Sequence, residues 1–290
     1  MIDLRHSSET INALARARSL LFVPGNRPER FAKALRSGAD AVVLDLEDSV
    51  PPSAKQTARE SMHEAWPELQ ANGLPLVVRI NTPLEVAGIT DLEWLARLPG
   101  LAGVMVSKAE SIAVLGSVRE NLSGVAILPL IESVAGLAAL SDLAGTAGVL
   151  RLVLGHIDFM ADSGIQCSDD ERELNPLRFA LSMSTRMHRL APAVDGVTVS
   201  LDDDARLRQD TKRAQRFGFG GKLCIHPRQV AVIHDALLPS VEELDWARRV
   251  IAADSAAGGA AVQLDGRMVD APVVLQARRI LARIGERANS

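Results

Sequence analysis

A rhythm constrains this chain most. Short apolar runs rich in β-branched residues recur at 19–24 (SLLFVP), 41–47 (AVVLDLE), 76–81 (LVVRIN), 103–108 (GVMVSK), 125–132 (VAILPLIE), 150–158 (LRLVLGHID), 196–200 (GVTVS) and 222–227 (KLCIHP). Segments with helical periodicity lie between them, at 27–37, 55–68, 91–98, 133–143 and 204–217. Near-continuous apolar strands alternating with amphipathic helices make βαβ units and a parallel sheet covered on both faces. Eight such units predict an α/β fold, the closed (β/α)8 TIM barrel. A doubly wound open sheet would carry a glycine-rich phosphate turn after its first strand, and neither G-x-G-x-x-G nor G-x-x-x-x-G-K occurs.

The rhythm stops near residue 235. Pro239-Ser240 reads as the N-cap of a helix over 241–253, residues 255–261 are small and linker-like, and a last helix is expected over 272–288. The chain therefore divides into an N-terminal extension, 1–14, forming a short extra helix; a barrel, 15–238; and a C-terminal helical arm, 239–290.

Composition removes several functions. At 47% hydrophobic and 23% charged the chain can bury a core. A net charge of −4, with 3% aromatic residues and no tyrosine, argues against nucleic acid as a partner. Cys167 and Cys224 belong to no C-x-x-C pair, the N-terminus lacks an apolar export segment, and no run approaches the ~18 apolar residues of a membrane span. A reducing cytoplasm is the expected setting.

In a barrel the reactive groups stand at the C-terminal ends of the strands. Here those ends are polar: Asp45, Glu47 and Asp48 after the second run, Arg79 and Asn81 in the third, then Lys108, Glu132, Asp158 and His226. Carboxylates from two strands, without a His or Cys cluster, suit a hard cation such as Mg²⁺, which takes one or two carboxylates and completes its shell with water and substrate oxygens. Glu132 and Asp158, on neighbouring strands, are the best pair. The same carboxylates can instead cap the helices that follow. Arg79 either pairs with Glu47 or grips a substrate carboxylate with its planar fork.

Asp45 and Glu47 point to one side of their strand, Asp45 being read as a buried residue without a role, and Asp48 turns elsewhere. His156 lines the site only if its strand stays regular to Asp158. His226 reads as a structural hydrogen-bonding residue, and Lys108 more readily as a salt-bridge partner than as a Schiff base. No nucleophile motif is present: G-x-S-x-G is missing, and the acidic surroundings of Cys167 disfavour a thiolate.

The segments 21–31 (LFVPGNRPERF), 38–48 (GADAVVLDLED), 78–81 (VRIN), 130–133 (LIES), 155–158 (GHID) and 218–229 (GFGGKLCIHPRQ), in this order along nearly the whole chain, resemble the citrate lyase β-subunit-like branch of the HpcH/HpaI aldolases. The resemblance implies a TIM barrel, trimers or hexamers, a Mg²⁺ site, and carbon-carbon chemistry beside a CoA or acyl-carrier thioester with a 2-oxo acid as partner. It implies Glu132 and Asp158 as metal ligands, Arg79 as the substrate-carboxylate clamp, and Glu47 and Asp48 as residues around metal-bound water.

Gly155, His156 and Ile157 are expected to contact substrate. The stretch 265–273 (DGRMVDAPV) is similar to the segment of stand-alone CoA-thioester lyases in which an aspartate, here Asp270, reaches a neighbouring subunit's site as acid/base. Local sequence reads Asp270 equally well as an N-cap. The chain departs from the family's usual pattern at Ser107, at His156 and Ile157, around Arg178–Ala180, and at 162–164 (DSG). The implied activity is cleavage of a citramalyl-CoA, malyl-CoA or citryl-CoA type thioester to a 2-oxo acid and acetyl-CoA. The alternatives are a malyl-CoA-type thioesterase and a citrate lyase β subunit acting on a carrier-bound substrate.

Overall fold

Eight parallel strands close the first unit of the structure, a computed structural model that describes residues 4–285, with side chains from residue 8. They are β1 (Ser19–Pro24), β2 (Ala41–Asp45), β3 (Leu76–Ile80), β4 (Gly103–Val106), β5 (Ala126–Ile131), β6 (Val153–Leu154), β7 (Val194–Asp195) and β8 (Gly221–Cys224). Each pairs with the next, and β8 returns to β1 through Ser19↔Lys222 and Leu21↔Cys224. The helices of this unit are α1 (Leu4–Arg16), α2 (Phe31–Leu35), α3 (Lys55–Ala71), α4 (Val86–Leu95), α5 (Ile112–Asn121), α6 (Val134–Ala138), α7 (Leu140–Gly145), α8 (His156–Ser163), α9 (Asn175–Met187), α10 (Asp204–Arg216) and α11 (Arg228–Leu237). The TIM barrel expected from the rhythm is the fold observed.

Inward side chains recur every second residue, because a strand's side chains alternate between faces. Ala41, Val43, Val77, Met105, Leu128, Leu130, Val153, Val194 and Leu223 fill the barrel interior. One step further along the same columns come Asp45, Arg79, Glu132 and Gly155, which places the polar residues directly above the apolar plug.

At the opposite end Leu14 and Ala17 join the core, and buried Arg151 donates to the carbonyls of Leu14, Ala17 and Pro192 at 3.0, 2.7 and 2.7 Å. The extension expected to stop at residue 14 thus runs into the barrel floor.

Two strand readings need correction. The sixth run is a strand only at Val153 and Leu154, because the chain turns at Gly155 into α8. Asp158 therefore lies in the first turn of a helix, not at a strand end. The seventh strand is Val194–Asp195 and not 196–200, where the β-branched residues are held by side chains instead: Thr198 Oγ1 donates to Asp210 at 2.8 Å, and Gln229 donates to the Thr198 carbonyl at 2.8 Å.

The second unit begins at Asp235. It contains α12 (Val241–Ala256), a hairpin of β9 (Val262–Leu264) and β10 (Arg267–Val269), and α13 (Ala271–Ala282), around a core that includes Ala247, Val250, Val274, Ala277 and Ile280. Ser240 and Glu243 form a complete capping box for α12. The hairpin was not anticipated. Asp265 and Gly266 turn with φ of +50° and +77°, the two positive values of a type I′ turn, and the Asp-Gly pair was its signal. The last helix falls short of the expected 272–288, and residues 286–288 lie outside the described ones. Among the described residues, no helix is long and apolar enough to cross a membrane.

Candidate active site

The C-terminal ends of the strands surround a cavity of about 590 Å³, lined among others by Asp45, Arg79, Glu132, Gly155, His156, Ile157 and Asp158. That volume lies within the range of small-molecule sites.

The charge in it held by the most contacts is Arg79. Its Nε and Nη2 donate to the two oxygens of Asp45 at 2.6 and 2.7 Å, its Nη1 reaches Glu47 Oε2 at 3.1 Å, and its plane stacks on the Phe22 ring at 4.8 Å. Of five N–H donors, one each on Nε and Nη2 go to Asp45, while Nη1 is ion-paired with Glu47 without a hydrogen bond, so the N–H on Nη2 and the one facing it on Nη1 stand side by side and free. Those two form an end-on fork for one further carboxylate. Asp45 is thus the residue that aims Arg79. Burial would raise its carboxyl, but the hydrogen bonds and charge of Arg79 hold it below its usual value. The sequence missed this role, although Asp45 and Arg79 are register partners on β2 and β3.

Glu47, also buried, accepts from the Asp48 amide at 2.9 Å and from Lys108 Nζ at 3.4 Å. Burial first, and then Asp48, raise its carboxyl to about 7 against the pull of Arg79. The loop that carries it is tied down by Lys55, whose Nζ donates to the carbonyls of Leu46 and Glu47 and to Asn81 Oδ1. Asn81 in turn donates to the Leu46 carbonyl and to Asp91. Lys55 and Asp91 carried no sequence signal, because their partners lie 8 to 32 residues away, outside the reach of helix or strand periodicity.

Glu132 continues β5 and is 4% exposed. Its Oε1 accepts from the Lys108 amide at 2.6 Å, and Lys108 takes a left-handed φ of +49° where it makes that bond. Its Oε2 is buried without a partner. Burial above all, with Glu47 and Asp158 adding repulsion, lifts the Glu132 carboxyl to about 8. Asp158, exposed in the first turn of α8, is close enough to contribute to that shift.

An orphaned buried carboxylate oxygen beside a second carboxylate is a position a divalent cation fits. Among the described residues no group of three or more His, Cys, Asp and Glu is gathered in this way, so two protein ligands would leave the rest of the shell to water and substrate. Gly155 is what lets Glu132 stand there: a Cβ on it would come within 2.6 Å of Glu132 Cβ.

His156 lines the cavity but is 4% exposed, and its ring packs over Gly196 with Nε2 3.7 Å from Glu171. Burial keeps its imidazole below the usual value. Behind it, Arg178 and Lys222 bind Asp195 at 3.4 and 3.0 Å, and Arg178 also binds Glu171, in a buried ionic layer. Arg178 is therefore structural and does not line the cavity.

Ile157 is 40% exposed and faces the cavity, and His226, at the rim, accepts from the Arg228 amide through Nδ1. The thiols are unsuited to catalysis: burial drives Cys224 up to about 12, and Cys167 is also raised, by burial and then by Glu173 and Glu171. Asp270 lies in the C-terminal unit, where it is the N-cap of α13 and accepts from the Val273 amide at 3.4 Å.

The structure thus gathers Glu47, Asp48, Arg79, Glu132, Gly155, His156, Ile157 and Asp158 at one barrel end. Residues 18–227 match the HpcH/HpaI aldolase/citrate lyase family. The chain belongs to this family. It is accordingly a carbon-carbon lyase.

A citrate lyase subunit beta-like protein of Deinococcus radiodurans is 35% identical over 276 residues, covering 91% of this chain and 96% of that one. The L-malyl-CoA/beta-methylmalyl-CoA lyase of Cereibacter sphaeroides is 30% identical, covering 91% and 93%. Among solved structures, protein CitE of Mycobacterium tuberculosis in complex with magnesium, acetoacetate and coenzyme A superposes with a TM-score of 0.83 at 33% identity, covering 94% of this chain and 100% of that one.

Proposed function

We propose that this protein is a Mg²⁺-dependent lyase cleaving a 3-hydroxy-3-carboxyacyl thioester, of the citramalyl-CoA, malyl-CoA or citryl-CoA type, into a 2-oxo acid and acetyl-CoA. The observation that carries the reading is the buried, unpartnered Oε2 of Glu132 beside Asp158, set opposite an arginine with one open fork. Glu132 and Asp158 would hold the cation, which supplies Lewis acidity toward the carboxylate and the oxygen of the reacting carbon.

Arg79 binds the same carboxylate through the open fork of its two Nη groups, and Asp45 keeps the fork aimed. In cleavage the substrate hydroxyl loses its proton, the bond between the hydroxyl-bearing carbon and the thioester's α-carbon breaks, and its electron pair passes to the α-carbon as a thioester enolate. The oxygen left behind becomes the keto group of the 2-oxo acid. Glu47, titrating near 7 next to Asp48, is suited to accept the hydroxyl proton directly or through water.

Asp270, reaching in from a neighbouring subunit, is the acid we assign to the enolate carbon. Arg30 and Lys33 at the β1 side of the cavity suit the phosphates of a CoA chain. A trimer or hexamer in a reducing cytoplasm is the expected state.

The test is an assay of citramalyl, malyl and citryl thioesters with the purified chain. Activity that needs Mg²⁺, is abolished by chelator and by Glu132→Gln, and yields stoichiometric 2-oxo acid supports the reading. Free CoA without 2-oxo acid would replace it with thioester hydrolysis.

A further inference from the structure

The three thioester types differ at one place, the third substituent on the hydroxyl-bearing carbon, which is hydrogen, methyl or carboxymethyl. We propose that this site selects the methyl-bearing type, so that its 2-oxo acid carries a short apolar side chain and not a second carboxylate. The inference rests on the lyase reading above and deepens it.

The first argument is a count of cations. Arg79 offers one end-on fork, enough for one carboxylate, its other edge being on Asp45 and its Nη1 also ion-paired with Glu47, and the carboxylate shared by all three types takes that fork. Lys108 Nζ is on Glu47, and Lys222 and Arg178 are buried on Asp195 and Glu171, away from the cavity. Arg30 and Lys33 follow β1, four strands around an eight-stranded ring from Glu132 at the end of β5, so they stand on the opposite side of the mouth. A second carboxylate beside Glu132 would find no side-chain cation left to answer it, and the Mg²⁺ charge would already be matched by Glu132, Asp158 and the shared carboxylate. An unpaired buried charge is strongly disfavoured.

The second argument is the wall. Leu130 precedes Glu132 on the inward face of β5, with its Cδ1 3.3 Å from where a Gly155 Cβ would stand. Leu154, Ile157, Val197 and Leu223 continue the lining. Such a surface gains from covering a methyl group and leaves a gap against hydrogen.

The experiment uses the full chain with Mg²⁺ and acetyl-CoA, measuring kcat/KM in the condensation direction for glyoxylate, pyruvate, 2-oxobutyrate and oxaloacetate. The expected result is pyruvate above oxaloacetate by about 100-fold or more, and above glyoxylate by about 10-fold. A second readout, independent of turnover, is the rise in Tm that each oxo acid produces with Mg²⁺ alone, expected to be larger for pyruvate than for oxaloacetate.

Turnover with oxaloacetate preferred overturns the inference and leaves the lyase reading intact. Protection in the expected order without any carbon-carbon chemistry overturns the lyase reading, and the thioester assignment with it, and leaves only the site's preference for the methyl-bearing oxo acid. Equal protection by the two acids overturns the inference. Ile157→Lys, which places a cation on the exposed part of the wall, is expected to shift the oxaloacetate-to-pyruvate ratio upward by about 10-fold, and an unchanged ratio refutes the placement of the substituent there.

Discussion

Gly155→Ala adds one methyl group at the point where the chain after β6 passes against Glu132. Its Cβ would stand 2.6 Å from Glu132 Cβ, 2.8 Å from Glu132 Oε2 and 3.3 Å from Leu130 Cδ1. Carbon atoms in contact sit about 3.5–4.0 Å apart, so roughly 1 Å must be found. Rotating the Glu132 side chain moves Oε2 but not Cβ, which is fixed to the backbone. The relief has to come from parting β5 and β6, where Gly155 N donates to the Ile131 carbonyl at 2.9 Å and Ile131 pairs with Leu154.

Overpacking of this size costs about 1–3 kcal/mol, a fall in Tm of roughly 2–4 °C for each kcal/mol. A reactive group displaced by 1 Å loses about 100-fold in rate. Backbone strain is not part of the cost, since Gly155 has φ −104°. The assay pairs thermal unfolding with Mg²⁺-dependent kcat/KM. The variant is expected to lose about 100-fold in kcat/KM and to need more Mg²⁺ for half-maximal activity. Gly164→Ala is the control: φ there is +72° with nothing within 4 Å, so stability falls while activity per folded molecule stays. Wild-type activity in Gly155→Ala would refute the argument that Gly155 makes room for Glu132.

Asp45→Asn leaves Arg79 buried with a weaker partner and is expected to cost about 3–5 kcal/mol, the usual penalty for breaking a buried pair, together with a raised KM for the oxo acid in steady-state kinetics. Arg79→Lys loses the two-point hold on Asp45 and should show the same KM defect with a smaller stability loss. For the metal-free protein, Glu132 and Glu47 titrate near 8 and 7, above their ordinary 4.5. Their contribution to stability is full below 4.5 and is lost as pH rises through 7 to 8. A Tm-against-pH series in chelator should therefore fall over that window.

Asp195, held near 2 by Lys222 and Arg178 against the effect of burial, acts in the opposite sense. Its contribution is present above its ordinary 3.8 and is lost as pH falls toward 2. The same series carried to acid pH reads it. Alkylation of the thiols is expected to be slow and to leave activity unchanged in a time-course assay, because neither cysteine lines the cavity.

Periodicity made the barrel legible, and with it Asp45, Arg79 and Glu132, since counting by two along an inward strand face puts each above the core. Counting fails where a strand is short. β6 has two residues, so the count that placed Asp158 at a strand end ran past Gly155 into α8. β-branched content likewise drew the seventh strand to 196–200, where Thr198 is bound by Asp210 and Gln229 and not by a sheet partner.

The sequence by itself determined the alternation of elements and the residue types at the barrel's reactive end, because both follow from local spacing. Which carboxylate is neutralised and which is left open was decided by the tertiary structure. Asp45 and Glu132 are both buried acids at strand ends, yet one is paired by Arg79 across 34 residues and the other keeps an unpartnered oxygen. A pKa depends on what comes within a few ångströms in space, and for these two residues the neighbours that matter come from other strands, the loops after them and α8.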